Sequence, residues 1–124
     1  MQPRDRLAFD APDLARALEG ASTASLDALD YGVVEMDPGA VVQRYDAAES
    51  RHSGLPPERT VGRHFFREVA PCCDTHRVAE RDAQPALDET IDYTFTVRIR
   101  PVRVVLRMLW LPEHSTMYLA VRWP

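Results

Sequence analysis

Three stretches toward the end of the chain alternate apolar and polar residues with a period of two, and this constrains the fold more than any other feature. In the first, Tyr93, Phe95, Val97 and Ile99 share one side against Asp92, Thr94, Thr96 and Arg98. Val102, Val104, Leu106, Met108 and Trp110 repeat the pattern beyond a turn near Pro101. Met117, Leu119, Val121 and Trp123 repeat it again after Pro112-Glu113-His114. Successive side chains of a strand point to opposite faces, so each stretch predicts a strand with one buried side.

Upstream, YGVVEMD, Asp37-Pro38-Gly39 and AVVQRY predict strand, tight turn, strand, with turn-type residues in place. Before them, Asp10 followed by Ala11-Pro12-Asp13 reads as a helix start and Gly20 as its stop; residues 25–30 add one more turn. Between the hairpin and the later strands the residues become small and polar. Asp46 is placed to cap a short helix over residues 47–50, with further turns at 57–61 and 65–69 and a helix over 76–83 that Pro85 cuts short. Two early strands, a block of short helices and three longer strands make an α+β domain: one antiparallel sheet with helices packed against it.

Composition sets the context. A chain of 124 residues is one domain with room for a core. A net charge of -4 offers no electrostatic footprint for nucleic acid or an anionic membrane surface. No apolar run approaches the ~20 residues that span a bilayer, so the expectation is a cytoplasmic protein with neither nucleic-acid nor membrane partners.

The chemistry concentrates in VAPCCDTHR, which holds the only two cysteines, side by side. Adjacent cysteines staple only their own strained ring and form no disulfide framework. Their spacing is also not that of a zinc site, even with Asp74 and His76 nearby. A Cys–His nucleophilic pair with His76 or His52 lacks an identifiable third group to orient the base. On its own, Cys72 reads as an inert packing residue and Glu49 as an exposed acid on a short helix.

The series Gly32, Asp37, Gly39, Tyr45-Asp46, Ala47-Ala48, Gly54, Gly62, Phe65-Phe66 and Pro71 resembles a PAS domain of the photoactive yellow protein (xanthopsin) type. The strings QRYDAAES, VGRHFFREVAPC and DYTF are similar to that family, as is the spacing from Tyr45 to Cys72. The resemblance implies a PAS fold: a central five-stranded antiparallel sheet flanked by short helices, with residues 1–28 as an N-terminal helical cap and 29–124 as a core holding a chromophore pocket. It further implies a blue-light receptor, not an enzyme, with p-coumaric acid (4-hydroxycinnamic acid) bound as a thioester to Cys72. Tyr45 and Glu49 would donate hydrogen bonds to its phenolate oxygen, and the Ser53 hydroxyl would support the tyrosine. Leu55 would form an apolar lid, and Phe65, Phe66, Val69 and Phe95 would line or support the pocket. A small-molecule chromophore, a downstream signalling protein and a monomeric or weakly dimeric state complete the expectation.

The sequence departs from the family pattern at several positions. Leu55 stands where many relatives carry Arg, Ser50 replaces a usual Gly, Val78 replaces a usual aromatic, and Trp123-Pro124 end the chain differently. A PAS module that senses another ligand or mediates dimerisation, with Cys72 free, is the alternative reading. A cysteine-dependent enzyme or redox sensor would leave Tyr45 and Glu49 without a role.

The physics of a phenolate site can be stated independently. Burial favours the neutral phenol, so donors aimed at the oxygen must outweigh it. Bonds of the O–H···O⁻ type are roughly twice as strong as neutral ones. For Glu49 to be such a donor it must keep its proton well above the ordinary carboxyl range, as an acid in an apolar pocket does.

Overall fold

The computed structural model describes residues 7–65, 87–97, 100–111 and 116–124. Its five strands are β1 (Gly32–Met36), β2 (Val42–Tyr45), β3 (Leu87–Val97), β4 (Arg100–Leu111) and β5 (Thr116–Arg122), joined in one antiparallel sheet of order β2-β1-β5-β4-β3. The helices are α1 (Leu14–Glu19), α2 (Thr23–Asp27), α3 (Ala47–Ser53) and α4 (Pro57–Thr60). The sheet thus brings the first and last strands together at its centre, with Gly32 opposite Val121 and Met36 opposite Met117.

The expected alternation defines one face. Val34, Met36, Val42, Tyr45, Phe65, Val104, Leu106, Met108, Met117, Leu119 and Val121 form one buried cluster, and Trp110 and Trp123 pack at its margin. The opposite face is buried as well. Val33, Leu109, Tyr118 and Ala120 meet Phe9, Leu14, Leu18, Leu26 and Tyr31 from the N-terminal segment. Central β4 and β5 are therefore covered on both sides, where the alternation predicts one buried side per strand. On β4 and β5 the second face is carried by Val105, the charged Arg107, Leu109, Tyr118 and Ala120, so apolar residues stand on both sides of these strands and alternation marks only the more uniformly apolar one.

Local differences from the sequence reading have local causes. Helix α1 starts at Leu14 instead of Ala11 because Asp13 takes the left-handed conformation (φ 58), which a right-handed helix cannot run through, while the preceding Phe9 and Ala11 carbonyls accept hydrogen bonds from Arg107 Nη1 at 2.8 and 2.7 Å. Helix α2 begins earlier than expected because Ser22 caps it, accepting the Ser25 N–H. In the β1–β2 hairpin, Asp37 Oδ1 accepts the N–H groups of Gly39 and Val41, and the left-handed residue is Ala40 (φ 64), not Gly39. A type I turn followed by a left-handed residue, with a register shift at Glu35/Met36, is the common way to close a slightly longer hairpin. Pro101 lies inside β4, opposite Thr96, instead of in a turn. It sits beyond the reach of β5, whose pairing with β4 begins at Val105, so its missing N–H falls on an unpaired edge. The expected turn at 65–69 beyond Phe65 and the helix at 76–83 lie outside the described residues.

Candidate functional site

Helix α3 is anchored at both ends. Asp46 caps it, its Oδ1 accepting the Glu49 N–H at 2.9 Å, while the Asp46 N–H donates to the Val33 carbonyl of β1. The Ala47 N–H donates to Asp27 Oδ1 of α2, and Gly54 ends the helix in the left-handed conformation (φ 79) that glycine adopts without strain. This short helix carries two side chains of the expected site, Glu49 and Ser53.

Tyr45, 5% exposed at the end of β2, donates its hydroxyl to Ser53 Oγ at 2.8 Å, and the Leu55 N–H donates to the same oxygen at 3.2 Å. Leu55 is half-buried. Phe65 is buried, and its N–H donates to the Ala40 carbonyl. Phe95 stands in β3 opposite Val102. Cys72, with its neighbour Cys73, and Phe66 and Val69 lie outside the described residues.

Glu49 is 3% exposed and lies directly over Gly32 of β1. A Cβ at position 32 would fall 2.0 Å from Glu49 Oε1, so glycine is what makes room for the carboxyl. That oxygen accepts the indole N–H of Trp123 at 2.7 Å. The Trp123 ring in turn stacks on His52, with centroids 4.9 Å apart and planes 8° from parallel.

Burial pushes the Glu49 carboxyl up from an ordinary 4.5 to about 8; the Trp123 hydrogen bond opposes the rise and the nearby Asp46 charge adds to it. Asp46 is pushed up from 3.8 to about 6, again by burial, against the N–H bonds from Glu49 and Val33. Its Oδ2 is buried with no hydrogen-bond partner among the described residues. Neither acid forms an ion pair among the described residues. The arrangement is therefore a buried, proton-holding carboxyl on the same helix as a serine that engages a buried phenol. A carboxyl of this kind can donate a hydrogen bond to, and exchange a proton with, an acceptor oxygen.

Trp123 and His52 as partners of the acid were missed by the sequence reading. A signal for the first was available: the alternation in β5 puts Trp123 on the side of Met117, Leu119 and Val121, the face on which Glu49 is buried. No group of three or more His, Cys, Asp or Glu side chains is arranged to hold a metal ion among the described residues. Among those residues, too, no helix is long and apolar enough to cross a membrane.

Comparison with known proteins identifies the group to which this arrangement belongs. No family model matches the chain. Photoactive yellow protein of Halochromatium salexigens is 30% identical over 104 residues, covering 81% of this chain and 83% of the relative. That of Rhodothalassium salexigens is 29% identical over 108 residues, covering 84% and 86%. Among solved structures, the photoactive yellow protein domain of the sensor histidine kinase Ppr from Rhodospirillum centenum superposes with a TM-score of 0.79 at 36% identity, covering 86% of this chain and 97% of that one. The PAS domain of an HTR-like protein from Haloarcula marismortui shares the fold, with a TM-score of 0.67 at 12% identity. These relatives agree with the reading of a non-enzymatic chain, and their identity and coverage place it: the chain belongs to the photoactive yellow protein family and has the PAS fold.

Proposed function

We propose that this chain is a blue-light photoreceptor that carries p-coumaric acid as a thioester on Cys72 and signals through the protonation state of Glu49. The observation that carries the reading is the Glu49 carboxyl, 3% exposed over Gly32, on the same helix as the Ser53 hydroxyl that engages Tyr45, a burial that favours its protonated form. These groups fit the chromophore's chemistry, since a phenolate held in a protein interior requires O–H donors and a neutral carboxyl and a phenol are two. Phe65, with Phe66, Val69 and Phe95, would supply apolar walls, and Leu55 brings no cation to the site, so stabilisation of the anion falls to the donors.

Bound there, the chromophore would supply absorption of blue light and trans–cis isomerisation. The chain's own residues do the rest. Tyr45 and Ser53 are both hydroxyls at 2.8 Å, so either can donate; when Ser53 turns its proton to Tyr45 Oη, the Tyr45 proton is available to an acceptor oxygen. Glu49 offers the second proton and, on releasing it, becomes a buried carboxylate beside Asp46. Such a charge costs several kcal/mol against the ~5–15 kcal/mol that holds a domain together, which favours loosening of the N-terminal segment and transmission to a downstream protein.

The test is reconstitution. Protein mixed with an activated p-coumaroyl donor turns yellow and bleaches under blue light; Cys72→Ala loses the stable colour and Cys73→Ala keeps it. A protein that stays colourless, or a reversed pattern in the two variants, overturns the assignment and leaves a ligand-sensing or dimerisation module with a free Cys72.

A further inference from the structure

The carboxyl of Glu49 has two oxygens, and the structure treats them differently. Oε1 points at Gly32 and accepts the Trp123 indole N–H at 2.7 Å. Indole N–H is a donor only, so the oxygen it engages must act as acceptor. In a neutral carboxylic acid the good acceptor is the carbonyl oxygen, while the other oxygen bears the proton. Trp123 itself is held by its stack on His52 and by packing at the edge of the core cluster that includes Tyr45 and Met117.

We propose that Trp123 is a positioning residue for Glu49: by occupying Oε1 it fixes the acid's proton on Oε2, the oxygen left to donate to a bound ligand. The proposal rests on the reading above for what that proton is used for, and on the contact alone for where it sits. When the proton leaves, the Oε2–H bond breaks, a new O–H bond forms on the acceptor, and the resulting carboxylate keeps the indole donor, now as a charge-assisted N–H···O⁻ bond. Trp123 thus also limits how high the carboxyl's proton affinity can rise.

Among the described residues, the titratable and charged groups around this pair include Asp46, which caps α3, His52 on α3, Arg51, Asp27 and Tyr31 near Asp46, and Tyr45 at the end of β2. His52 lies against the indole, so each measurement is made in native and His52→Gln backgrounds. In protein without chromophore, the infrared carbonyl band of Glu49 is identified as the one lost in Glu49→Gln. Trp123→Phe keeps a ring against His52 and removes the N–H. The band should then move to higher wavenumber, as for a carbonyl that loses a donor, and the carboxyl's titration midpoint should rise by roughly one unit or more.

A second measurement needs no variant at Trp123. The chain has two tryptophans, so Trp110→Phe assigns the remaining indole N–H resonance to Trp123. That resonance should shift as Glu49 titrates and stay fixed in Glu49→Gln. A carbonyl band unmoved by Trp123→Phe, or an indole resonance indifferent to the titration, overturns the proposal. Neither readout uses chromophore, so failure here is distinguishable from failure of attachment at Cys72.

Discussion

The two faces of the sheet solve the burial of charge in opposite ways. On the face under α1 and α2, Arg107 spans from Asp88 of β3 to the Phe9 and Ala11 carbonyls, with bonds of 2.6–2.8 Å. Arg44 does the same from Glu35 of β1 to the Leu18 and Ala21 carbonyls. Each guanidinium meets a carboxylate on the sheet and donates to backbone carbonyls of the N-terminal segment, so charge acts as a clip that fastens the cap. On the other face, Asp46 and Glu49 are buried acids that receive N–H bonds and no arginine among the described residues. Paired charge holds a structure in one state, whereas an unpaired buried acid gives it two, protonated and not. The faces meet at the end of β5, where Arg122 stacks on the Phe9 ring and bonds Asp10 of the cap while its neighbour Trp123 bonds Glu49.

The contrast is most exposed by pH. Glu49 and Asp46 both hold their protons more tightly folded than unfolded, so the unfolded chain releases protons first as pH rises. Their stabilising effect is complete below about pH 4 and is lost progressively until pH passes about 8. In protein without chromophore, each acid contributes a slope of about 1.4 kcal/mol per pH unit within its own window. Denaturant unfolding between pH 4 and 9 should show this decline, and Glu49→Gln should flatten the part above pH 6. A stability that is level or rises across that range would mean the acid is solvated or paired.

The clip side should respond to truncation instead. Arg107→Met leaves Asp88 and two carbonyls without their donor and should lower stability by about 2–3 kcal/mol, less than for a fully buried pair because Asp88 is half-exposed. Amide exchange should accelerate in residues 7–29 and change little in β4 and β5. Uniform acceleration would show that the cap and the sheet unfold as one unit.

A smaller effect tests the cavity that admits the acid. Gly32→Ala places a methyl 2.0 Å from Glu49 Oε1 and should cost about 1–3 kcal/mol, the range for overpacking. It should also expel the carboxyl and so weaken the pH dependence. Combining it with Glu49→Ala should recover most of the loss, leaving only the contact of 3.0 Å with Cβ. Equal losses in the single and double variants would mean that the glycine serves β1 alone.

Much of this architecture was legible in residue order. Alternation from Val102 to Trp110 and from Met117 to Trp123 marked β4, β5 and their buried face, because a strand's period of two writes itself directly into sequence. Asp46 at a helix start and Gly54 at its end were likewise readable, since capping is a local hydrogen-bonding requirement. Tyr45, Glu49 and Ser53 stood out only through likeness to a family; by pattern alone Glu49 is an ordinary surface acid.

What the sequence could not determine are properties of contact between distant segments. Burial of Glu49 depends on a glycine 17 positions upstream that leaves a gap, and its partner Trp123 lies 74 positions downstream. Arg107 reads as a solvated charge on the polar side of β4 until the fold brings Phe9 and Ala11, about a hundred positions away, onto that side. Local patterns encode which backbone groups bond their neighbours and which side of a strand is apolar. Whether a charge is buried, and what it meets there, depends on long-range packing, and in this protein that packing decides which charges fasten the fold and which can switch it.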